Sequence, residues 1–394
     1  MKLATGQASD GTRALLVAHV FPSFAVGGAQ VRFAAIANHF GAAFRHIVVS
    51  LDGDLACRER LLPSLDVTFP AIAAAKNAML ANAWRFRGLL RLWRPDVLVT
   101  CNWGAIEFAL ANLSPLTRHL HVVDGFGPEE RTVQLARRVL IRRLALSRTP
   151  VVLPSRNLVR IATEVWKLPP RVIRYVPNGI DVAGFATDGS GRGSAEPVIG
   201  TVAGLRPEKN LVRLVRAVAR LPYGRLVIVG DGPERAALEG LAASLGVSAR
   251  VHFAGSHRET AAYYARFNIF ALSSDTEQMP LSVIEAMASG LPVVATDVGD
   301  VRLMVAEANG PYLTALDDAA MAAALQALIA DPDARRRIGL ANLVKARRDF
   351  DQAAMFAAHG ALWRGEPAVG CPGGHGASWP DRYCPKPQEA PAVP

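Results

Sequence analysis

Cysteine is scarce in this chain of 394 residues: there are four, Cys57, Cys101, Cys371 and Cys384, and none stands in a Cys-x-x-Cys pair. A structural zinc site or a disulfide framework needs clustered cysteines, so neither is expected, and the thiols read as free in a reducing compartment. Long hydrophobic runs are missing too. No uninterrupted apolar stretch reaches the ~18 residues that a membrane-spanning helix needs. The opening MKLATGQASDGT has no apolar core of the kind a secretory signal carries. A cytoplasmic location is the expectation. Charged residues are only 20% of the chain against 51% hydrophobic, which excludes a disordered chain and suits two domains with sizeable cores.

The net charge of +10 is unevenly placed. Residues 1–180 hold 23 Lys and Arg against 11 Asp and Glu, a balance of +12, and the remainder holds 21 against 23, a balance of −2. The first half therefore points to an anionic partner: nucleic acid, an acidic membrane face or a phosphorylated substrate. Arg131–Arg148 carries six arginines among Leu, Val and Ile at helical spacing. That pattern suits an anionic membrane surface, and its plainer alternative is a helix with a solvated arginine face. The segment lacks Phe, Tyr and Trp, which argues against a nucleic-acid-binding protein, where aromatics interleave with the cations.

Apolar strand-like runs alternate with helical patterns along most of the chain. Strands are expected at Ala14–Phe21, His46–Leu51, Asp96–Thr100, His119–Asp124 and Pro150–Ser155, with helices between them. A Gly/Ser/Asp-rich stretch, Ala186–Pro197, reads as a linker, after which the alternation restarts with PVIGTVAG and runs to PVVATD. Two βαβ arrays in succession imply an α/β protein with two doubly wound, parallel-sheet domains facing a cleft. Helices follow at Asp318–Ile329, Pro332–Arg347 and Phe350–Trp363, and the Pro- and Gly-dense residues from 365 to 394 read as a disordered tail.

Five short motifs carry chemistry. In TVAGLRPEKNL a strand ends at Gly204, and the loop presents Arg206 and Lys209, a planar fork and a point charge suited to a diphosphate. The plainer alternative is internal pairing of Arg206 with Glu208. In SSDTEQMPLSVIEAMASG the loop carries Glu277, Pro280 is expected at the first helical position, and amides around Met279, Pro280 and Leu281 can attract phosphate. Glu285 lies one and a half turns into that helix, where a carboxylate among apolar residues needs hydrogen-bond partners such as a ribose diol. Gly27-Gly28 after the first strand permits close backbone approach to a ligand. VPNGID at 176–181 and IVGDGPE at 228–234 read as tight turns, the first at the domain junction.

In order and spacing these motifs closely resemble the family-4 retaining glycosyltransferases with a GT-B fold, of the bacterial cell-surface polysaccharide type. The resemblance covers about residues 14–363 and is strongest over 176–299. It implies an acceptor-side Rossmann-like domain at 13–178 after a flexible leader at 1–12. A nucleotide-sugar domain would follow at 179–349, with a helix at 350–364 packing back on the first domain. It implies that Arg206 and Lys209 hold the diphosphate and the charge developing on it, Glu285 the ribose hydroxyls, and Glu277 the donor sugar. The Gly27-Gly28 loop would close on the donor, with Gly204 beside the diphosphate and Gly255 to His257 beside the base.

Two departures from the family pattern stand out. Gln278 follows the first Glu where a small residue is usual, which puts the donor-sugar contacts in question. The strand HLHVVD ends at Asp124, with His121 three positions earlier. Residues an odd number apart on a strand face opposite ways, so Asp124 is favoured as the cleft residue and His121 as a packed one. Asn102 and Glu107 are candidates for the acceptor wall. No metal and no resident cofactor are expected, since two cations can replace a divalent ion at the diphosphate. The implied donor is a UDP- or GDP-linked sugar, and the implied acceptor a glycan or lipid-linked sugar. The implied location is cytoplasmic, peripheral on the inner face of the plasma membrane. A nucleotide-sugar epimerase or hydrolase of the same fold, or a non-enzymatic basic nucleic-acid- or membrane-binding protein, is the alternative.

Overall fold

The computed structural model describes residues 13–75, 77–130, 133–187 and 196–366. The expected leader, most of the linker and nearly all of the expected tail lie outside the described residues. Gly365 and Glu366 are described, and they finish the last helix: Gly365 adopts φ +80° as its C-cap.

Runs rich in Val, Ile and Leu that are apolar on both sides form two fully parallel sheets, each covered on both faces. The first holds β1 (Leu15–Phe21), β2 (Phe44–Ser50), β3 (Val67–Thr68), β4 (Val97–Cys101), β5 (Arg118–Val122), β6 (Val151–Leu153) and β7 (Ile173–Tyr175), in the order β3-β2-β1-β4-β5-β6-β7. Helix α1 (Gly28–Phe40) covers one face. Helices α2 (Met79–Trp93), α3 (Ile106–Ala111), α4 (Ala136–Leu146) and α5 (Arg156–Arg160) cover the other.

The second sheet holds β8 (Val198–Val202), β9 (Arg225–Val229), β10 (Val251–Gly255), β11 (Ile269–Leu272), β12 (Val293–Thr296) and β13 (Leu313–Thr314), in the order β10-β9-β8-β11-β12-β13. Helices α6 (Leu211–Ala219), α7 (Arg235–Ser244) and α11 (Asp318–Ala330) pack on one face. Helices α8 (Ala261–Tyr264), α9 (Leu281–Ala288) and α10 (Val301–Met304) pack on the other, with the end of α12 (Pro332–Asp349). The last helix, α13 (Gln352–Arg364), sends Met355, Phe356, Leu362 and Trp363 into the core of the first domain.

The chain thus crosses between domains twice, and the crossings lie side by side. The Ile180 amide donates to the Phe350 carbonyl, and the Gln352 amide to the Ile180 carbonyl, both at 3.0 Å. A Cβ on Gly179 would stand 2.8 Å from the Gln352 Cα, so the glycine of PNGID is what lets the two strands of chain touch. Strand order reverses between β1 and β4 and again between β8 and β11. Such switch points open crevices at the carboxyl ends of the strands, and here the loops after β1, β4, β8 and β11 are the ones that meet.

The first domain buries histidine heavily. His19 Nε2 lies 3.2 Å from His46 Nδ1, and both meet the Trp363 ring edge-on, while His121 Nδ1 lies 2.8 Å from Thr100 Oγ1. Burial pushes His46 down to about 4 and His119 and His359 down to about 3, and drives His19 and His121 well below the usual imidazole value. The unfolded chain binds protons at these rings from pH 6.5 downward while the folded chain does not, so stability falls with pH across that window. Each ring contributes about 1.4 kcal/mol per pH unit there. Urea titrations at pH 7.5 and 5.5 are expected to show a loss of several kcal/mol, and equal midpoints would contradict the buried, neutral state.

Candidate active site

The meeting loops enclose a cavity of about 540 Å³ between the domains. From the first domain Gly27, Gly28, Asn102, Trp103, Asp124 to Gly127, Glu129 and Arg138 line it, and from the second Arg206, Glu208, Lys209 and Thr276 to Gln278. A larger cavity, about 780 Å³, opens at the other end of the first sheet around Arg118, Arg148 and Arg174. It touches none of the motif residues, whereas Gly27, Gly28, Asp124, Arg206, Lys209 and Glu277 all line the interdomain cavity.

The second-domain wall consists of two stitched loops. Asp275 donates its amide to the Glu208 carbonyl at 2.9 Å, and Ser273 Oγ donates to the Lys209 carbonyl at 3.0 Å. Asn210 takes the left-handed φ of +41° and caps α6 through its side chain, while its amide donates to Asp275 at 2.9 Å. Lys209 Nζ stands 2.6 Å from Glu277 Oε1, which also accepts from Ser274 Oγ at 2.7 Å. Arg206 Nε pairs with Glu208 at 3.0 Å, the internal pairing weighed as the plainer reading of that loop, and its guanidinium remains more than half exposed toward the cleft. Gly299 has φ +57°, and a Cβ there would overlap the Glu277 carbonyl, so only glycine lets the turn after β12 press the Glu277 loop into place.

On the first-domain wall, Asp124 follows β5 and its amide donates to Asn102 Oδ1 at 2.8 Å. Arg32 Nη1 donates to Asp124 Oδ1 at 2.6 Å and to Asn178 Oδ1 at 2.7 Å. Asp124 Oδ2 is buried and has no partner among the described residues. Asn178 in turn donates to the Met279 carbonyl at 2.9 Å, so a single chain of contacts links Asp124 to the start of α9. His121 points away from the cavity into the sheet, where it meets Thr100.

Family models match almost the whole of this architecture: "Glycosyltransferase Family 4" over residues 26–183 and "Glycosyl transferases group 1" over residues 187–342. The chain belongs to this glycosyltransferase family. Among curated relatives it is 36% identical over 143 residues to the lipopolysaccharide core biosynthesis glycosyltransferase LpsE of Rhizobium meliloti, covering 36% of this chain and 42% of that one. It is 38% identical over 183 residues to a GDP-mannose-dependent alpha-mannosyltransferase of Mycolicibacterium smegmatis, covering 44% of this chain and 46% of that one. The matched stretches thus span less than half the length of these relatives. The solved structure of Anabaena Alr3699/HepE in complex with UDP-glucose superposes with a TM-score of 0.76 at 19% identity, over 89% of this chain and all of that one. Its fold is therefore the same, GT-B.

Several family motif residues lie outside the cavity lining. Glu285, half-buried on α9, accepts from the Tyr264 hydroxyl at 2.7 Å; burial raises its carboxyl pKa, and that hydrogen bond offsets part of the rise. His257 is held by Tyr263 Oη at 2.7 Å and the Ala254 carbonyl at 2.9 Å, after Gly255 with φ +81°. β8 ends at Val202 and not at the expected Gly204, which lies in the loop beneath Arg206, with Arg206 Nε 3.5 Å from where its Cβ would stand. Leu281 faces Gly28 across the cleft, its Cδ1 3.7 Å from where a Cβ would stand.

The Met279 side chain is buried, and its carbonyl accepts from Asn178 at the domain junction. Three expectations need correcting. Pro280 is the N-cap of α9 and not its first residue, because its ψ of +121° is extended and α9 opens at Leu281. Glu107 is no part of the cavity; it turns back to α2 and accepts from Asn82 at 2.9 Å. The arginine segment is not one basic face. Arg142 is buried against Glu130 at 2.6 Å, and its guanidinium carbon lies 4.8–5.0 Å from the Trp103 and Trp166 rings. Arg138 pairs with both Glu129 and Glu130, and Arg131 lies outside the described residues.

Other contacts across the domain junction had weak signals in the sequence. Gln278 Oε1 accepts from Ser155 Oγ at 3.2 Å and Asn157 Nδ2 at 3.1 Å, and the Asp300 carboxylate accepts the Arg156 and Asn157 amides at 2.5 and 2.9 Å. The second domain therefore caps α5 of the first. Arg32 was detectable as the one charge in an otherwise apolar helix. Asp52-Gly53-Asp54 follows β2 after Leu51, but Asp52 spends Oδ1 on Ser50 Oγ and the Asp54 amide. Among the described residues no three His, Cys, Asp or Glu converge as a metal site, and no helix is long and apolar enough to cross a membrane.

Proposed function

We propose that the protein transfers a sugar from a UDP- or GDP-linked donor to a glycan or lipid-linked acceptor in cell-surface polysaccharide or glycolipid biosynthesis, with retention and without a metal ion. The observation that carries this reading is the Lys209–Glu277 pair, 2.6 Å apart at a switch point, opposite Asp124 across one cavity. Lys209 and Arg206 stabilise the diphosphate as the C1–oxygen bond to it breaks; fixed cations act most where charge develops. The acceptor oxygen bonds to C1 from the same face, and its proton passes to the departing phosphate oxygen. Asp124 Oδ2, buried without a partner, receives an acceptor hydroxyl, and Glu277 meets the donor sugar. Glu285, oriented by Tyr264, binds the ribose, and the Gly255–His257 turn flanks the base. The relatives' names, which include a lipopolysaccharide core enzyme and a GDP-mannose-dependent enzyme, support this assignment.

A thermal-shift series with UDP-, GDP-, ADP- and dTDP-sugars, with and without magnesium, tests it. A ligand that binds only the folded state raises the melting temperature. One nucleotide class is expected to give a clear, magnesium-independent rise, and Glu285→Ala is expected to abolish most of it while leaving the ligand-free melting temperature nearly unchanged. No rise with any of the four would overturn the donor-site assignment.

A further inference from the structure

The outer surface of α2 runs against the usual arrangement of a covering helix. Phe86 and Leu90 face the sheet, yet Leu80, Trp84 and Leu92 face outward at 84%, 81% and 75% exposure. With Gly88 they stand four residues apart, which places them in one line along the helix. On α4, Leu140 and Leu144 repeat the pattern, exposed by 57% and 62%. Helix α3 contacts both α2 and α4, so the two lines lie on the same face of the first domain. A monomeric protein seldom leaves large apolar side chains exposed in such a row without a partner.

The charges around the lines have a single sign. Residues 67–95 and 131–149 contain no Asp or Glu at all, and Arg85, Arg91, Arg137 and Arg143 are exposed among the apolar side chains. The carboxylates on the adjoining segments are spent on partners: Glu107 turns inward to Asn82 and Glu130 to Arg142, while the half-exposed Glu129 pairs with Arg138 and Asp96 with Arg13. A protein partner would commonly offer both signs of charge. Apolar side chains in rows, fringed only by arginine, match an anionic lipid surface, which takes the Leu and Trp side chains into its interface and the guanidinium groups among its phosphates.

We infer that the α2–α4 face of the first domain docks on an anionic lipid bilayer. Both helices lead into parallel strands, so their N-termini stand at the cleft end of the sheet. The bilayer therefore lies beside the cavity wall made by Trp103, Phe126 and Arg138. The inference deepens the proposed function by placing the acceptor in that bilayer, and it rests on that reading only for the acceptor.

The test is flotation of the full-length protein with phosphatidylcholine vesicles, pure or with one-third phosphatidylglycerol. The protein floats with the anionic vesicles and stays behind with the neutral ones. L80Q/W84Q lowers the anionic partition about tenfold or more, and R137Q/R143Q lowers it about fivefold per charge removed. Both variants keep the wild-type melting temperature and its nucleotide-sugar shift. Absence of binding to anionic vesicles would overturn the inference, as would equal binding by wild type and L80Q/W84Q. A dimer in sedimentation velocity that L80Q/W84Q dissolves would overturn it too, by assigning the face to a second copy. Flotation needs no turnover, so its failure is distinct from failure of the nucleotide-sugar shift.

Discussion

Replacing Lys209 by Ala is expected to lower kcat about 10²- to 10³-fold, the scale on which losing one preorganised charge at a leaving group is felt. Binding of the intact donor is expected to change far less, because the ammonium gains most when the diphosphate takes up the full charge of the broken bond. The geometry explains why one residue carries so much. Arg206 is half-turned to solvent beside Glu208, whereas Lys209 is held by Glu277, with little side-chain exposure on either partner. Ser273 and Asp275 hold the loop that carries it. Single-turnover kinetics with saturating donor measure the effect. A Lys209→Ala enzyme with unchanged kcat and a raised KM would make Lys209 a uniform binding group and remove it from the bond-breaking step.

The second large effect lies behind the opposite wall. Arg142→Ala is expected to destabilise the first domain by about 3–5 kcal/mol, since it leaves the Glu130 carboxylate buried without its principal partner. Burial alone would raise the Glu130 pKa, but hydrogen bonds and charge from Arg142 outweigh it and hold the carboxyl below its ordinary value. The loss extends beyond the ion pair. The same guanidinium fills the space among Trp103, Phe126 and Trp166, so Trp103 and the Asp124–Glu130 loop lose their backing and acceptor-side kinetics suffer with stability. Urea unfolding measures it. The paired variant E130Q/R142M, which removes both charges together, is expected to lose much less, and an equal loss would mean that packing and not charge dominates.

The second-domain wall of the cavity was largely legible in the sequence. Strand ends, a loop with Arg206 and Lys209, and a loop with Glu277 occur within short segments, and parallel α/β topology sends such loops to one edge of a sheet. The first-domain wall was less so. Arg32, Trp103, Arg138 and Asn178 come from segments as much as 146 residues apart, and no local pattern announces that they meet. The short strands β3, β7 and β13 escaped notice because two or three residues are too few to show a periodicity.

Two residues mark the boundary clearly. Gln278 stands out in the sequence as a departure beside Glu277, but only the fold shows that it binds Ser155 and Asn157 of the other domain. Arg142 reads as one more cation in a basic run, yet it is the buried ion of the wall. Fold class, the succession of two domains and the short loop motifs of the second are set locally, because hydrophobic periodicity and turn chemistry act over a few residues. Tertiary structure alone decided which arginines face inward, which face the solvent beside Leu80 and Trp84, and which carboxylate meets which cation. Those choices depend on desolvation and on contacts between segments remote in the chain.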